Sequence, residues 1–141
     1  MLEKAGDRVE RYFSTMERPS LDAIADFPLP PGIEVRPVRP EHYRAIWDAH
    51  SLAFRTHWGY SPPDEADFER WQRSQVFQPH LWQVAWDVQT GEVAGQVRGY
   101  IDETWNTANG RKRGLTEFIS VGEPWRRRGL ARALISLSLH A

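Results

Sequence analysis

The pattern of hydrophobic and polar positions is clearest in the last thirty residues of the chain. Residues 116–121 are rich in β-branched and aromatic side chains, which is typical of a buried strand, and Gly122 and Pro124 end it. After this break the apolar positions recur at helical spacing: Leu130, Ala133, Leu134, Leu137 and Ala141. The pattern therefore predicts a strand, a turn with three consecutive arginines, and an amphipathic helix that begins at Gly129.

The pattern of apolar and polar residues predicts further elements between residues 33 and 114. A strand at residues 33–38 is cut short by Pro37 and Pro40, and Pro40 is well placed as the first residue of a helix. The apolar stripe of that helix is Tyr43, Ile46, Trp47, His50 and Phe54. A second helix is predicted from Asp64, and two strands at 81–87 and 92–102 are joined by a Thr90-Gly91 turn. The predicted order is β-α-α-β-β-β-α.

Side-chain alternation predicts which face each strand presents. Trp82, Val84 and Trp86 share one face of the first long strand, and Val93, Val97 and Ile101 share one side of the next. Asn109-Gly110 and Gly114 predict a second turn before the last strand. Most of the seven tryptophans are expected in the core, whereas Trp58 and Trp105 lie in predicted loops and are candidates for contact with a substrate.

Composition limits the class of protein. A chain of 141 residues, 40% of them hydrophobic, suits one domain with its own core. It has no cysteine, which excludes disulfides, thiolate chemistry and cysteine-based zinc sites and fits the cytoplasm. No apolar stretch is long enough to span a membrane, and the N-terminus does not resemble a signal peptide. The five histidines show no metal-ligand spacing, so no metal site is expected.

Charge is distributed unevenly along the chain. The net charge is −1, yet residues 109–141 hold seven Lys or Arg against two carboxylates, a balance of +5 that leaves −6 for the remainder. A local positive field in a protein that is not basic favours a small anionic ligand over a long polyanion.

The turn with three arginines is the candidate site for that anion. The first backbone N–H groups of a helix have no partner within the helix, and the helix dipole makes this end positive. Gly129 lets a ligand approach the backbone closely, and Ala131 keeps the next position small. Residues 126–131 therefore predict a phosphate cradle built mainly from backbone amides. The alternatives are a solvated basic helix start and a contact with nucleic acid phosphates.

Arg126-x-x-Gly129-x-Ala131 resembles the Arg/Gln-x-x-Gly-x-Gly/Ala loop of the GNAT superfamily of N-acetyltransferases, in which this loop binds the pyrophosphate of acetyl-CoA. The resemblance implies an α/β fold of the GNAT kind, with a mixed, mostly antiparallel sheet and flanking helices. It also implies acetyl-CoA as the co-substrate and an acceptor that is a small-molecule amine or a peptide amine. The predicted order of elements is that of the front of a GNAT domain.

The resemblance is greatest to tandem proteins of the mycothiol-synthase-like kind. In that comparison residues 1–18, with a strand at Val9–Met16, match the tail of a preceding GNAT domain. Residues 19–32 match a Pro-rich linker, and residues 33–141 match the front half of a second domain whose C-terminal half is missing. We expect the N-terminal strand to cover an open sheet edge, in its own molecule or by strand exchange in a homodimer.

The resemblance also implies roles for individual residues. The strand residues Phe118, Ile119, Ser120 and Val121 would pair with the pantetheine arm, and the N–H of Ile119 or Ser120 would polarise the acetyl carbonyl. The pyrophosphate would be bound at Arg126, Arg127, Arg128, Gly129, Leu130 and Ala131, with Arg127 and Arg128 as charged partners.

Glu117 is the candidate general base, because burial among apolar strand residues would raise its pKa toward a useful range. The competing interpretation is a carboxylate paired with Arg98 or Arg113.

Two other classes of function are compatible with the sequence. One is a half-domain that binds acetyl-CoA or a partner without catalysis. The other is nucleic-acid binding through Arg111–Arg113 and Arg126–Arg128, which salt-steep binding to DNA or RNA without acetyl-CoA binding would distinguish.

Overall fold

The computed structural model describes residues 18–56 and 60–140, which form one antiparallel sheet with helices on both faces. The predictions made for residues 1–17 and for Trp58 lie outside the described residues. The elements are β1 (Ile33–Val35), α1 (Tyr43–Ala53), α2 (Glu65–Gln72), β2 (Trp82–Asp87), β3 (Val93–Ile101), α3 (Glu103–Asn109), β4 (Gly114–Val121) and α4 (Leu130–His140). Short 3-10 turns at Pro40–His42, Pro79–Leu81 and Glu123–Trp125 precede α1, precede β2 and follow β4.

The strands pair in chain order, β1-β2-β3-β4, and each neighbour is antiparallel. This arrangement confirms the predicted α/β class, with a sheet of antiparallel strands and flanking helices. The predicted start of α2 is confirmed as well, since the Asp64 carboxylate accepts a hydrogen bond from the Asp67 amide at 2.8 Å.

Two apolar cores lie on opposite faces of the sheet. On one face α4 packs Leu130, Ala133 and Leu134 toward the strands, where Ala85, Ala94 and Val97 are also buried. On the other face α1 and α2 cover an aromatic core of Ile46, Trp71, Trp82, Val84, Trp86 and Val93. Trp82, Val84 and Trp86 share this second core, as the alternation in β2 predicted. The two cores fix α1 and α4 on either side of β4.

The predicted faces of β3 are wrong in one respect. Val93 belongs to the core under α1 and α2, whereas Val97 belongs to the core under α4. The cause is a bulge, because Ala85 pairs with Gly95 while Trp86 pairs with Val93, so Ala94 has no opposite residue. One extra residue reverses the alternation along the strand.

Helix α3 was not predicted, since the strand was expected to end at Asp102 and to be followed by a loop with Trp105 and a turn at Asn109-Gly110. Asp102 caps the helix by accepting a hydrogen bond from the Trp105 amide at 2.9 Å, and Gly110 ends it with a φ of +61°. The seven residues contain Thr and Asn and no apolar stripe, so the periodicity gave no helical signal. Only the capping residues Asp102 and Gly110 indicated a helix here.

The proline-rich segment before β1 lies against α4. The Ser136 hydroxyl donates to the Ala25 carbonyl at 2.5 Å, His140 lies 3.1 Å from the Asp26 carboxylate, and the Arg132 guanidinium stacks on Phe27 at 4.5 Å. These contacts join residues 25–27 to the outer side of α4. The division of the chain at residues 19–32 stays a prediction.

Candidate functional site

A cleft of about 670 Å³ lies where the end of α1, the second half of β4 and the start of α4 meet. The cleft brings together eight of the predicted ligand-binding residues: Ile119, Ser120, Val121, Arg126, Arg127, Gly129, Leu130 and Ala131. Phe118 and Arg128 were predicted with them and do not line it. The residues that sequence analysis missed are Ala53, Phe54, Thr56, Trp125 and Arg132.

A bulge in β4 forms one wall of the cleft. Gln96 pairs with Ser120, but Arg98 pairs with Glu117, so Phe118 and Ile119 both lie opposite Val97. Phe118 has a φ of +52°, which a side chain with a Cβ rarely adopts. In the part of the chain that the structure describes, β3 is the only strand paired with β4. Beyond the bulge, the outward backbone groups of β4 can therefore pair with a ligand.

The loop before α4 forms the other wall. Arg127 has a φ of +65° and Gly129 a φ of +79°, so the chain turns twice through the left-handed region. The Ala133 amide donates to the Gly129 carbonyl at 3.1 Å. Among residues 18–56 and 60–140, no carbonyl accepts a hydrogen bond from the amides of residues 127–132. Unpaired amides at a helix start, next to left-handed turns, form a concave site for an anion.

Arg126 already has two partners within the protein. Its Nε donates to the Val121 carbonyl at 2.9 Å, and its Nη2 donates to the Ala53 carbonyl at 3.1 Å. The side chain therefore joins the end of β4 to the last residue of α1, across one end of the cleft. Arg127 and Arg128 are exposed beside it, and only Arg127 lines the cleft.

Trp125 holds the turn after β4 in place. Its indole N–H donates to the Asp87 carboxylate at 2.8 Å, and this hydrogen bond is the largest cause of the lowered pKa of Asp87. The ring packs on Gly122, where an added Cβ would lie 2.7 Å from the indole. Trp105, which was predicted to contact a substrate, instead lies under the Arg113 guanidinium, at 3.5 Å from the ring centroid, and does not line the cleft.

Glu117 differs from its predicted environment. It is exposed, so the expected burial is not observed. It lies opposite Arg98 in the β3–β4 register, but no ion pair joins it to Arg98 or Arg113 within the described ranges. Its charge contributes to the raised pKa of Tyr100, after the larger effect of burial. Its role as a base stays a prediction.

His50, which was predicted to lie in the apolar stripe of α1, contacts the strand that lines the cleft. Its Nδ1 lies 3.1 Å from the Ser120 hydroxyl, between α1 and β4. Burial lowers the pKa of His50 to about 3, and the nearby Arg98 charge adds to the effect, so the imidazole is neutral at neutral pH. The signal for this contact was the place of His50 in the apolar stripe of α1.

A second cleft of about 500 Å³ lies at the other end of β4, near the end of α4, and Arg111, Lys112 and Arg113 line it. The two arginine runs therefore border different clefts. No helix among the described residues is long and apolar enough to cross a membrane. The described part of the chain also contains no group of three or more His, Asp or Glu side chains that could hold a metal ion.

The chain is similar to known proteins in both sequence and structure. The sequence profile of the acetyltransferase (GNAT) family matches residues 43–141. The structure is similar to a GCN5-related N-acetyltransferase from Sphaerobacter thermophilus, at 30% identity and a TM-score of 0.60 over 79% of this chain and 32% of that one. Two other solved structures share the fold. A protein from Pyrococcus horikoshii, assigned as an acetyltransferase, is 14% identical, with a TM-score of 0.60 over 94% of this chain and 38% of that one.

The other is an acetyltransferase from Trypanosoma brucei that is 19% identical, with a TM-score of 0.52 over 77% of this chain and 72% of that one. The chain spans about a third of the length of the Sphaerobacter and Pyrococcus proteins. A search of curated protein sequences gave no match.

Proposed function

The chain belongs to the acetyltransferase (GNAT) family, and we propose that it transfers an acetyl group from acetyl-CoA to an amine in the cytoplasm. The observation that carries the proposal is the cleft in which unpaired amides at the start of α4 lie beside the bulged strand β4. The unpaired amides suit a pyrophosphate, and the open backbone groups of β4 suit the amide groups of a pantetheine arm. An acetyl-CoA molecule has both groups in one chain.

The residues of this site have distinct roles in the proposed reaction. The amides of residues 127–131 bind the pyrophosphate, and Arg127 adds positive charge. The outward backbone groups of β4 orient the pantetheine arm, and the Ile119 or Ser120 amide donates to the carbonyl oxygen of the thioester. Glu117 accepts one proton from the ammonium form of the acceptor, and the neutral nitrogen then forms a bond to the carbonyl carbon. The C–S bond breaks, and CoA leaves with the sulfur and its electron pair. The excess proton on the new amide nitrogen is released to water, and the CoA thiolate takes up a proton from water to become the free thiol.

Titration calorimetry with acetyl-CoA tests the binding part of this proposal. We expect a single site for acetyl-CoA. ADP and pantetheine should bind more weakly, because ADP has only the pyrophosphate and pantetheine has only the amide groups. Release of free CoA thiol in the presence of a panel of amines tests the transfer. Absence of binding at millimolar acetyl-CoA would contradict the proposal.

One observation favours a second candidate, an acetyl-CoA-binding domain without catalysis. Glu117 is exposed, so it lacks the buried, apolar surroundings that were expected for a general base at this position. Acetyl-CoA binding without any amine-dependent release of CoA would support this alternative over transfer.

Loss of Arg126 should mainly affect stability, whereas loss of its neighbour Arg127 should mainly affect acetyl-CoA binding. Arg126→Gln removes two hydrogen bonds to carbonyl groups, so we expect it to lower the free energy of unfolding by about 1–2 kcal/mol. Arg127→Gln removes an exposed charge that makes no such bonds with the described residues, so stability should stay the same while acetyl-CoA affinity falls roughly three- to tenfold. Thermal denaturation and calorimetry on both variants measure the difference. Equal losses of affinity with no change in stability would rule out the structural role of Arg126.

A further inference from the structure

Arg98 is a buried cation at the centre of β3. The residue is 3% exposed and lies on the face of the sheet covered by α1 and α2. Three aromatic rings surround its guanidinium carbon, with centroid distances of 4.7 Å for Phe118, 5.1 Å for Trp71 and 5.7 Å for Trp82. Burial lowers the pKa of Arg98 to about 10, so the group still carries its charge at neutral pH.

This guanidinium has no hydrogen-bond acceptor in the described portion of the chain. No carboxylate lies within ion-pair distance, and the Nε atom is buried without a partner. Aromatic faces attract a cation, but they do not replace the acceptors that its N–H groups lose when they leave water. Buried arginines are normally paired for this reason. An acceptor supplied by a ligand would satisfy the group.

The surroundings of Arg98 indicate which ligand. Glu117 lies directly opposite Arg98 on β4, and paired residues of antiparallel strands project on the same face. Glu117 is exposed, and Phe118, which covers the guanidinium, is 36% exposed at the bulge. A positive and a negative group therefore occupy adjacent positions where this face of the sheet reaches solvent. A molecule with an amine and a carboxylate a few ångströms apart complements this pair.

We propose that Arg98 binds a carboxylate of the acceptor, so that the substrate is an amino acid or a peptide-like amine with its carboxylate close to the reacting nitrogen. The inference rests on the proposed acetyl transfer and extends it to the substrate class. Arg98 receives the carboxylate while Glu117 faces the amine, and Phe118 moves from the guanidinium to admit the ligand. Arg98 then determines specificity and takes no part in proton transfer.

Matched acceptors that differ only in the carboxylate test the proposal. Three suitable pairs are alanine and alaninamide, phenylalanine and phenylalaninamide, and glycylglycine and glycylglycinamide. The ratio of kcat/KM for acid over amide is measured in the wild type and in Arg98→Gln, so that differences in amine pKa cancel. We expect the ratio to fall roughly ten- to a hundredfold in the variant, mainly through KM for the acids. An unchanged ratio would overturn the proposal.

Arg113→Gln is the matched control, because Arg113 also stacks on a tryptophan and also has a buried Nε without a partner, but borders the second cleft. Its acid-to-amide ratio should equal that of the wild type. Arg98→Lys is the second variant, in case Arg98→Gln does not fold. It keeps the charge and loses the planar pair of donors, so it should retain part of the preference.

Thermal denaturation separates this proposal from the proposed function. We expect N-acetylalanine, a product analogue, to raise the thermal midpoint of the wild type more than N-acetylalaninamide does at equal ionic strength, and to have no such advantage in Arg98→Gln. If the wild type shows this preference for N-acetylalanine but does not bind acetyl-CoA, the carboxylate site would be supported and acetyl transfer would be contradicted. Acetyl-CoA binding with no carboxylate preference in either assay would overturn the role of Arg98 alone. A loss of stability in both Arg98 variants with equal effects on acids and amides would show a purely structural cation.

Discussion

Gly129→Glu should abolish measurable acetyl-CoA binding, with a dissociation constant at least about a hundredfold above that of the wild type, a loss of about 2.7 kcal/mol. Gly129 has a φ of +79° at the start of α4, and its neighbouring amides have no described partner. The variant places a carboxylate where the pyrophosphate is proposed to lie. It also adds a Cβ 3.2 Å from the Arg132 guanidinium, which would draw that positive charge toward the new side chain.

Gly110→Glu is a matched control for this experiment. Gly110 has a φ of +61° at the end of α3, with open space around an added Cβ, and it lies outside the cleft. The substitution adds the same charge and similar backbone strain, so stability should fall comparably while acetyl-CoA affinity stays the same. Calorimetry measures the stability and the acetyl-CoA affinity of both variants. Undiminished affinity in Gly129→Glu would refute the assignment of the pyrophosphate to this loop.

Glu117→Gln should lower kcat for acetyl transfer about a hundred- to a thousandfold at neutral pH. Glutamine keeps the shape of the side chain and loses its basicity, so acetyl-CoA affinity should not change. The deficit should become smaller as pH rises, because a larger fraction of the acceptor amine is then already deprotonated. The pH dependence of kcat in both proteins, measured by release of the CoA thiol, tests this directly.

Glu123→Gln provides the control for the loss of one carboxylate from this region. Glu123 is exposed in the turn after β4, and its carboxylate pairs with Arg55 at 3.4 Å. Its removal should leave kcat within about twofold of the wild type, since an exposed ion pair contributes little. Equal pH profiles for Glu117→Gln and the wild type would leave Glu117 without a role in proton transfer.

The sequence by itself determined the features that depend on neighbouring residues. The apolar stripes of α1 and α4, the alternation in β2 and the Asp64 cap are local, because a helix or strand repeats its face every few residues. The loop that is proposed to bind the pyrophosphate was also visible, since a strand, the arginines, Gly129 and an amphipathic helix follow one another directly in the chain. Eight of the ten predicted ligand-binding residues accordingly line one cleft.

Only the tertiary structure decided the features that join distant segments. The bulges at Ala94 and Phe118 depend on pairing with another strand, and the first of them reversed the predicted face of Val93. The contacts of Arg126 with Ala53 and of His50 with Ser120 join residues that are about seventy positions apart in the sequence, so no periodicity could indicate them. Arg98 is buried among three aromatic rings, whereas Glu117, opposite it, is exposed. The sequence could not indicate this difference, because the burial of a strand residue depends on which elements pack over its position in the sheet.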